Sequence, residues 1–326
     1  SLLFSIYKAV GRDARKEMQG DMIGSVPAQI DFVTLPFSAF LVYRTVLPGT
    51  FKARWMMRQC QKDLPHFLRA APTLCRTTRE AIVNWTTPSS LLQGWQQALK
   101  PVIVHACQML RSSTAWLAGP ATRLRQELSD LVGEADANAI LSNLSGKSSD
   151  LASLGPLLGL AQAAQGRLSR EDYLERYGHR GPHEMELFAP GADDDLQWFD
   201  KRLAQFTREQ VDVEALLAKQ RAEQAAALTR FASHFPAKAQ EIQSRLEKVA
   251  AAAQTREAVR SEVTRLTRLL RSFLLQAGAV TGMGDDVFFL SLDELADVLS
   301  GDKTPSAYLP ARHQAYQRYC ALPPYP

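Results

Sequence analysis

One stretch in the second half of the chain constrains the fold more than any other feature, because its apolar residues follow a helical spacing over a great length. From Asp212 to Ala232 apolar side chains recur three and four residues apart, and the same spacing continues from Ala237 to Gly278. Phe235-Pro236 separates the two runs, because proline lacks the amide hydrogen that a continuous helix needs. The pattern predicts two long helices joined in an αα-hairpin, with Gly278 as the stop of the second.

Capping residues mark the starts of further helices. The predicted starts are Thr87-Pro88, Thr304-Pro305, the capping box from Ser291 to Glu294, and Ser169, whose short helix Gly178 closes. Strand patterns are scarce, and only Val287 to Leu290 reads as a brief strand or a buried extended segment. We therefore predict an all-α, multi-helix domain with at most a small β element. The polar stretch 191–195 divides it into a helical region, 1–190, and a region with the hairpin and C-terminal helices, 191–326.

The composition excludes several classes of protein. Among 326 residues, 46% are hydrophobic and 22% are charged, which is typical of a globular chain and not of a disordered one. A net charge of +4 is too small at this length to indicate nucleic acid. The longest apolar stretch, Phe32 to Tyr43, is shorter than the roughly 20 residues of a membrane span.

Two further features concern the compartment and the extent of the chain. The four cysteines form no CxxC pair and none stands beside histidine at zinc-ligand spacing, so we expect a reduced, cytoplasmic protein. The chain opens on Ser1 without an initiator methionine, and we expect a segment of a longer polypeptide.

The densest polar cluster is the segment from His179 to Glu184. His179 and His183 have the i, i+4 spacing of metal ligands on a helix, but glycine and proline lie between them and no third ligand is evident. Arg180 provides a planar fork for a phosphate or carboxylate, which Glu184 can orient. A structural Arg–Glu pair at a helix-to-loop junction is the competing interpretation. We predict neither a metal site nor a catalytic residue.

Arginines recur along the second predicted helix of the hairpin. They are Arg256, Arg260, Arg265, Arg268 and Arg271, with Glu257 and Glu262 among them. Arg256 and Arg260 are four residues apart and project together from a helix. Such a run usually forms a solvated face. A phosphate-facing stripe and an RNA contact are alternatives, but no aromatic side chain is interleaved on which bases could stack.

The N-terminal part is rich in methionine and aromatic side chains, among them Met22, Phe32 and Phe37. Core packing is the default expectation, and the wall of a pocket for a bulky apolar ligand is the alternative. Ser145 to Ser148 is similar to the end of a phosphate-binding P-loop, but Leu141 stands where that loop needs glycine. We interpret this stretch as a polar interhelix loop.

Five stretches carry a resemblance to a known family. They are residues 153–160 (SLGPLLGL), 173–184 (YLERYGHRGPHE), 256–261 (REAVRS), 285–295 (DDVFFLSLDEL) and the closing 316–326. In this order they resemble the middle region of phosphoenolpyruvate-utilising enzymes of the phosphoenolpyruvate synthase, pyruvate phosphate dikinase and rifampicin phosphotransferase type. The likeness is firm from about residue 150 onwards and loose before it.

The resemblance implies an ATP-dependent phosphotransferase. An ATP-grasp domain phosphorylates a histidine on a swivelling domain, which carries the phosphoryl group to an acceptor. This chain would be the central substrate-binding or docking domain. Residues 1–190 would be its helical substrate-binding region, and residues 191–326 would lead to a phosphohistidine domain. We expect no cofactor on this chain, but ATP and Mg²⁺ in the full-length enzyme. The expected partners are the ATP-grasp and phosphohistidine domains and a small-molecule acceptor, with no nucleic acid and no membrane.

Phosphoryl transfer needs electrostatic clamping of the transferred group and close placement of the acceptor. The expected substrate-binding residues are therefore Arg180, Glu184 and His179, then Arg256, Glu257 and Arg260, with Met22, Phe32 and Phe37 as an apolar wall. Two other functions stay open, a non-enzymatic spacer or hinge and an RNA-binding hairpin. A deep apolar cavity beside Arg180 would favour binding, and a solid core there would favour the spacer.

Overall fold

The computed structural model describes residues 39–142, 154–181, 183–192, 194–209 and 212–322. These residues form helices and contain no β-strand, which confirms the predicted all-α class. The α-helices are α1 (Ala39–Val83), α2 (Pro88–Gly94), α3 (Lys100–Leu141), α4 (Gly155–Ala164), α5 (Arg170–Tyr177), α6 (Trp198–Glu209), α7 (Val213–His234), α8 (Pro236–Thr281), α9 (Leu292–Leu299) and α10 (Leu309–Cys320). A π-helical turn, Trp95–Leu99, joins α2 to α3, and 3₁₀-helices occupy Gly284–Phe289 and Thr304–Tyr308.

The predicted hairpin is confirmed, but its second helix ends later than predicted. Asp212 caps α7 by accepting a hydrogen bond from the Ala215 amide at 2.9 Å, and Pro236 opens α8. Gly278 does not stop α8, which continues to Thr281 and ends at Gly282 with φ of 74°. Gly278 instead lies buried inside the helix, where a Cβ atom would lie 2.2 Å from the Gly284 carbonyl oxygen. This glycine therefore allows the chain beyond α8 to fold closely back against the helix.

Three of the predicted caps are confirmed, and two local predictions are wrong. Thr87, Ser169 and Ser291 each accept a hydrogen bond from a backbone amide in the first turn of their helix. Thr304 makes no such cap, because it lies inside a 3₁₀-helix. The run Val287 to Leu290 is not a strand, because the sharp turn through Gly282 and Gly284 leads directly into a 3₁₀-helix whose Val287 is buried against α8.

The 46-residue α8 is the spine of the fold, about 69 Å long. Its C-terminal half packs on α1, α2, α3 and α9 in one core that includes Val259 and Phe273. Its N-terminal half packs on α7 and the end of α3 in a second core that includes Val249. A smaller cluster around Tyr173 joins α4, α5 and α6. Among the described residues, no helix is both long enough and apolar enough to cross a bilayer.

Candidate functional site

The segment that follows α5 brings the predicted polar cluster to the middle of α8. The helix ends at Gly178, as predicted, and a Cβ atom there would lie 2.5 Å from the Leu174 carbonyl oxygen. A side chain at this position would clash, so glycine permits the turn out of the helix. From His179 onwards the chain runs beside α8, and it contacts that helix repeatedly as far as Asp194.

The centre of the site is the carboxylate of Glu184, which lies between two arginines from different parts of the chain. Its Oε2 atom is 2.7 Å from Nε of Arg180, and its Oε1 atom accepts a hydrogen bond from Nη2 of Arg260 at 2.6 Å. The side chains of Arg180 and Glu184 are only 6% and 9% exposed, whereas Arg260 is 36% exposed. The structure therefore brings together three of the predicted site residues and gives one of them, Arg260, access to solvent.

A second pair extends this network along α8. Arg256 donates a hydrogen bond to Oε1 of Glu257, and Oε2 of Glu257 lies 3.9 Å from Nη1 of Arg260. Glu257 is 13% exposed. Five charged side chains from one helix and its neighbouring segment are thus held next to one another, with Arg260 as the link between the two carboxylates.

His179 lies beside this network as a neutral ring. Its Nε2 atom is 2.8 Å from Oγ of Ser261, and its Nδ1 atom is buried without a hydrogen-bond partner. Burial, with smaller contributions from the nearby Arg265 and Arg180, lowers the pKa of His179 from 6.5 to about 2. His183, by contrast, is exposed. No cluster of three or more His, Cys, Asp or Glu side chains suited to a metal ion occurs among the described residues.

The arginine run on α8 is not the solvated face that the sequence predicts. Arg268 and Arg271 are buried. Both donate hydrogen bonds to Oδ2 of Asp194, at 2.5 and 3.0 Å, and Arg271 also donates to the carbonyl oxygens of Leu187 and Phe188. The interpretation is wrong for these two residues because their guanidinium groups satisfy the backbone of the segment that covers them. Neither presents its charge to a nucleic-acid backbone.

Asp194 is the residue that sequence reasoning missed most clearly, since we interpreted its stretch only as a polar divide. Its Oδ2 atom also accepts a hydrogen bond from the Gly191 amide at 2.8 Å. Burial is the largest single influence and raises the pKa of Asp194, but the Gly191 amide and the guanidinium groups of Arg271 and Arg268 together outweigh it, so the pKa is lowered. The signal available in the sequence was a glycine three residues before an aspartate, a pattern of local turns.

A cleft opens beside Arg180 with a volume of about 210 Å³. Its polar and aromatic lining includes Arg180, His183, Trp198, Arg202, Gln205 and Arg268. It is neither the deep apolar cavity nor the solid core between which the sequence left a choice. Trp198 and Arg202 of α6 were not predicted as site residues, and the i, i+4 spacing of an aromatic and an arginine was their only signal.

The remaining predicted residues lie outside the part of the chain that the structure describes. They are Met22, Phe32 and Phe37 of the apolar wall and Ser145 to Ser148 of the interhelix loop. Comparisons with family models, with curated proteins and with solved structures give no match to this chain.

Proposed function

We propose that this chain is the central substrate-binding and docking region of an ATP-dependent phosphotransferase that resembles phosphoenolpyruvate synthase. In this proposal an ATP-grasp domain of the same polypeptide binds ATP and Mg²⁺, and a phosphohistidine domain carries the phosphoryl group. The helical region holds a small-molecule acceptor and receives the phosphohistidine. It contributes binding and positioning and is not catalytic alone.

The observation that carries this proposal is the contact between Glu184 and Arg260. These residues belong to two of the stretches that resemble the family, and they are 76 positions apart in the chain. Nothing in a chance likeness of two short stretches requires them to meet in the fold. Their meeting in one buried ion-pair network supports a single shared site.

The chemistry of the network suits a phosphoryl group. Glu184 balances one of the two guanidinium groups that flank it, so the group of Arg180, Glu184 and Arg260 retains one positive charge. Arginines that are fixed before the reaction stabilise the charge of a transferring phosphoryl group without reorganising. Arg260 is the partly exposed member and is the one that we place in contact with the phosphohistidine.

The proposed setting is the cytoplasm. No disulfide forms among the described residues, and Cys107 and Cys320 are exposed thiols. Exposed thiols persist in a reducing compartment, which supports this assignment.

The test has two parts. The coding sequence on both sides of the chain is read first, and an ATP-grasp domain and a swivelling histidine domain in the same frame are expected. In the full-length protein, Arg260→Gln is then expected to leave labelling of the phosphohistidine by ATP unchanged. It is expected to slow transfer to the acceptor probes, pyruvate and rifampicin, by about 100-fold, the usual effect of removing one preorganised donor.

The control is Arg221→Gln, since Arg221 is exposed on α7, away from the network. It should change neither reaction. Absence of the two neighbouring domains, or equal transfer by the Arg260→Gln variant and the wild type, would contradict the proposal.

A spacer or hinge that sets the reach of the mobile domain is the second candidate function. The continuous 46-residue α8 favours it, as do Arg268 and Arg271, whose hydrogen bonds are structural. A spacer predicts that Arg260→Gln leaves acceptor phosphorylation unchanged. The same experiment therefore separates the two functions.

A further inference from the structure

The cleft beside Arg180 has a size and a position that suit a small ligand. It lies between residues 178–181, 183 and 184, residues Pro190 and Gly191, and the α6 side chains Trp198 and Arg202, and its volume is about 210 Å³. Pockets for drug-sized ligands have volumes of about 300–1,000 Å³, so this cleft fits a smaller molecule.

The charges that line the cleft are mostly positive. Three arginines, Arg180, Arg202 and Arg268, face a single carboxylate, that of Glu184. Glu184 is already engaged by Arg180 and Arg260, and the carboxylate of Asp194 balances Arg268. His179 adds no charge, because its buried ring is neutral. Arg202 has no carboxylate partner among the described residues, so it adds a positive charge to the cleft.

Two arginines that line the cleft keep buried nitrogen atoms without a partner. Nη1 of Arg180 has no hydrogen-bond acceptor in the described structure, although the side chain is only 6% exposed. Nε of Arg202 is buried and unpaired in the same way. Buried guanidinium N–H groups without acceptors are costly, and such orphan donors point to an acceptor that completes them.

Both walls of the cleft are held in place by specific packing. The Arg202 guanidinium lies over the Trp198 ring, 5.9 Å from its centroid, and both residues project from the first turns of α6. On the opposite side Gly191 lets Arg268 approach, since a Cβ atom at Gly191 would lie 2.6 Å from Nη2 of Arg268. The donors are therefore positioned before any ligand binds.

We infer that this cleft is an anion subsite that binds the phosphate group of a small phosphorylated molecule. Arg180 and Arg202 provide N–H donors from two sides, which match the several oxygens of a phosphate. Gln205 lies at the rim, where its Nε2 atom donates one hydrogen bond to Glu209 at 2.9 Å and keeps a second hydrogen for the ligand. The inference rests on the proposed function for its biological meaning, because there it makes the phosphorylated product of the transfer the ligand of the cleft. The binding itself depends only on this chain.

The test is calorimetric titration of the purified chain with inorganic phosphate at low ionic strength. Saturable binding with a Kd in the millimolar range is expected. Arg202→Gln should weaken it by about tenfold or more, because it removes a charged donor from the ligand. Arg202→Lys, which keeps the charge but loses the planar fork, should bind with intermediate affinity. Arg221→Gln on the exposed face of α7 should bind as the wild type does.

The outcomes separate this inference from the proposed function. Absence of phosphate binding, or an equal loss in Arg202→Gln and Arg221→Gln, would overturn the anion subsite and leave a phosphotransferase whose phosphorylated product is not held in this cleft. Tighter binding of acetate than of phosphate would also overturn it, because a planar carboxylate would then be the better match. Absence of the neighbouring domains from the gene would overturn the proposed function and leave the titration result standing. Thermal unfolding of each variant, followed by circular dichroism, verifies that the fold is intact.

Discussion

At the scale of single residues, Glu184 is the side chain on which the integrity of the site depends most. Its carboxylate is 9% exposed and faces the buried Arg180. Glu184→Gln keeps the shape of the side chain but leaves that guanidinium buried without a counter-ion. Breaking a buried ion pair costs about 3–5 kcal/mol, and we expect the free energy of unfolding in urea to fall by about 3 kcal/mol.

The control for this variant is Glu223→Gln, since Glu223 is exposed on α7. A surface substitution of this kind changes stability by less than about 0.5 kcal/mol. If the two variants lost the same free energy of unfolding, the ion pair of Glu184 would contribute no more to stability than an exposed carboxylate does.

His179 makes stability depend on pH in one direction. The pKa of its ring falls from 6.5 to about 2 on folding, mainly because the ring is buried. The folded state therefore prefers the neutral ring, so the contribution of His179 is complete above pH 6.5 and is lost as the pH falls from there towards 2. We expect acidification over this interval to lower the free energy of unfolding by up to about 1.4 kcal/mol per pH unit through this group.

Urea unfolding at a series of pH values measures this effect. His179→Gln should show a shallower decline on acidification than the wild type, whereas His234→Gln, at an exposed position, should follow the wild-type curve. Parallel curves for His179→Gln and the wild type would show that the imidazole does not carry the pH dependence.

The residues of the site differ in how far the sequence could predict them. Arg180 and Glu184 are close in sequence and of opposite charge, so their pairing was available locally. Asp194 pairs with Arg268 and Arg271 over more than 70 positions, and the sequence offers no sign of such a contact. The prediction that the arginine run forms a solvated face was wrong for the same reason, because the charge of a side chain does not show which segment packs over that face of the helix.

At the scale of elements, the turn after α8 depends on Gly278. Alanine has a higher helix propensity than glycine, by about 1 kcal/mol, and on that ground alone Gly278→Ala would stabilise α8. A Cβ atom there would, however, lie 2.2 Å from the Gly284 carbonyl oxygen, which is backbone and cannot move aside. Overpacking of this kind typically costs about 1–3 kcal/mol, so we expect a net loss of stability.

Gly119→Ala in α3 is the comparison variant, since the nearest atom to its added methyl group, apart from the adjoining residues, would be Nη1 of the flexible Arg123 side chain at 3.6 Å. Pro120 follows it and disfavours a helical backbone at a preceding residue with a Cβ atom, which offsets the gain in helix propensity. We expect Gly278→Ala to lower the melting temperature by more than Gly119→Ala does. Equal melting temperatures for the two variants would contradict the close approach between α8 and Gly284.

The sequence predicted the bounds of a helix correctly where the interaction that sets the bound is local. Pro236 and the caps at Thr87 and Ser291 act within a few residues, and the structure confirms them. The end of α8 and the 3₁₀-helix at Val287 were predicted wrongly, because Gly278 serves close packing against Gly284, whereas Gly282 and Gly284, both with positive φ, make the turn. An apolar run of four residues has no periodicity that separates a strand from a tight helical turn.

At the scale of the whole molecule, α8 connects two cores, and the polar site lies along its C-terminal half. Val249 belongs to one core and Val259 to the other. The charged stretch begins at Arg256, between these positions, and continues past Val259 as far as Arg271. The segment that carries Glu184 is attached to α8 mainly by charged and backbone hydrogen bonds. A long continuous helix with this polar segment fixed against it can hold its hydrogen-bond donors in place for a phosphoryl group that another domain delivers.

The last prediction concerns what this arrangement does without its proposed neighbours. If ATP is cleaved by another domain, the purified chain, supplied with Mg²⁺ and ATP, should release no phosphate above a protein-free control, because its arginines can hold an anion but the proposal assigns it no ATP-cleaving group. The same preparation should still bind inorganic phosphate in the cleft beside Arg180, which verifies that the protein is active in binding. Release of phosphate at a constant specific rate through repeated purification would contradict the division of labour between domains. Because binding and turnover are measured on one sample, an inactive preparation cannot be mistaken for the expected result.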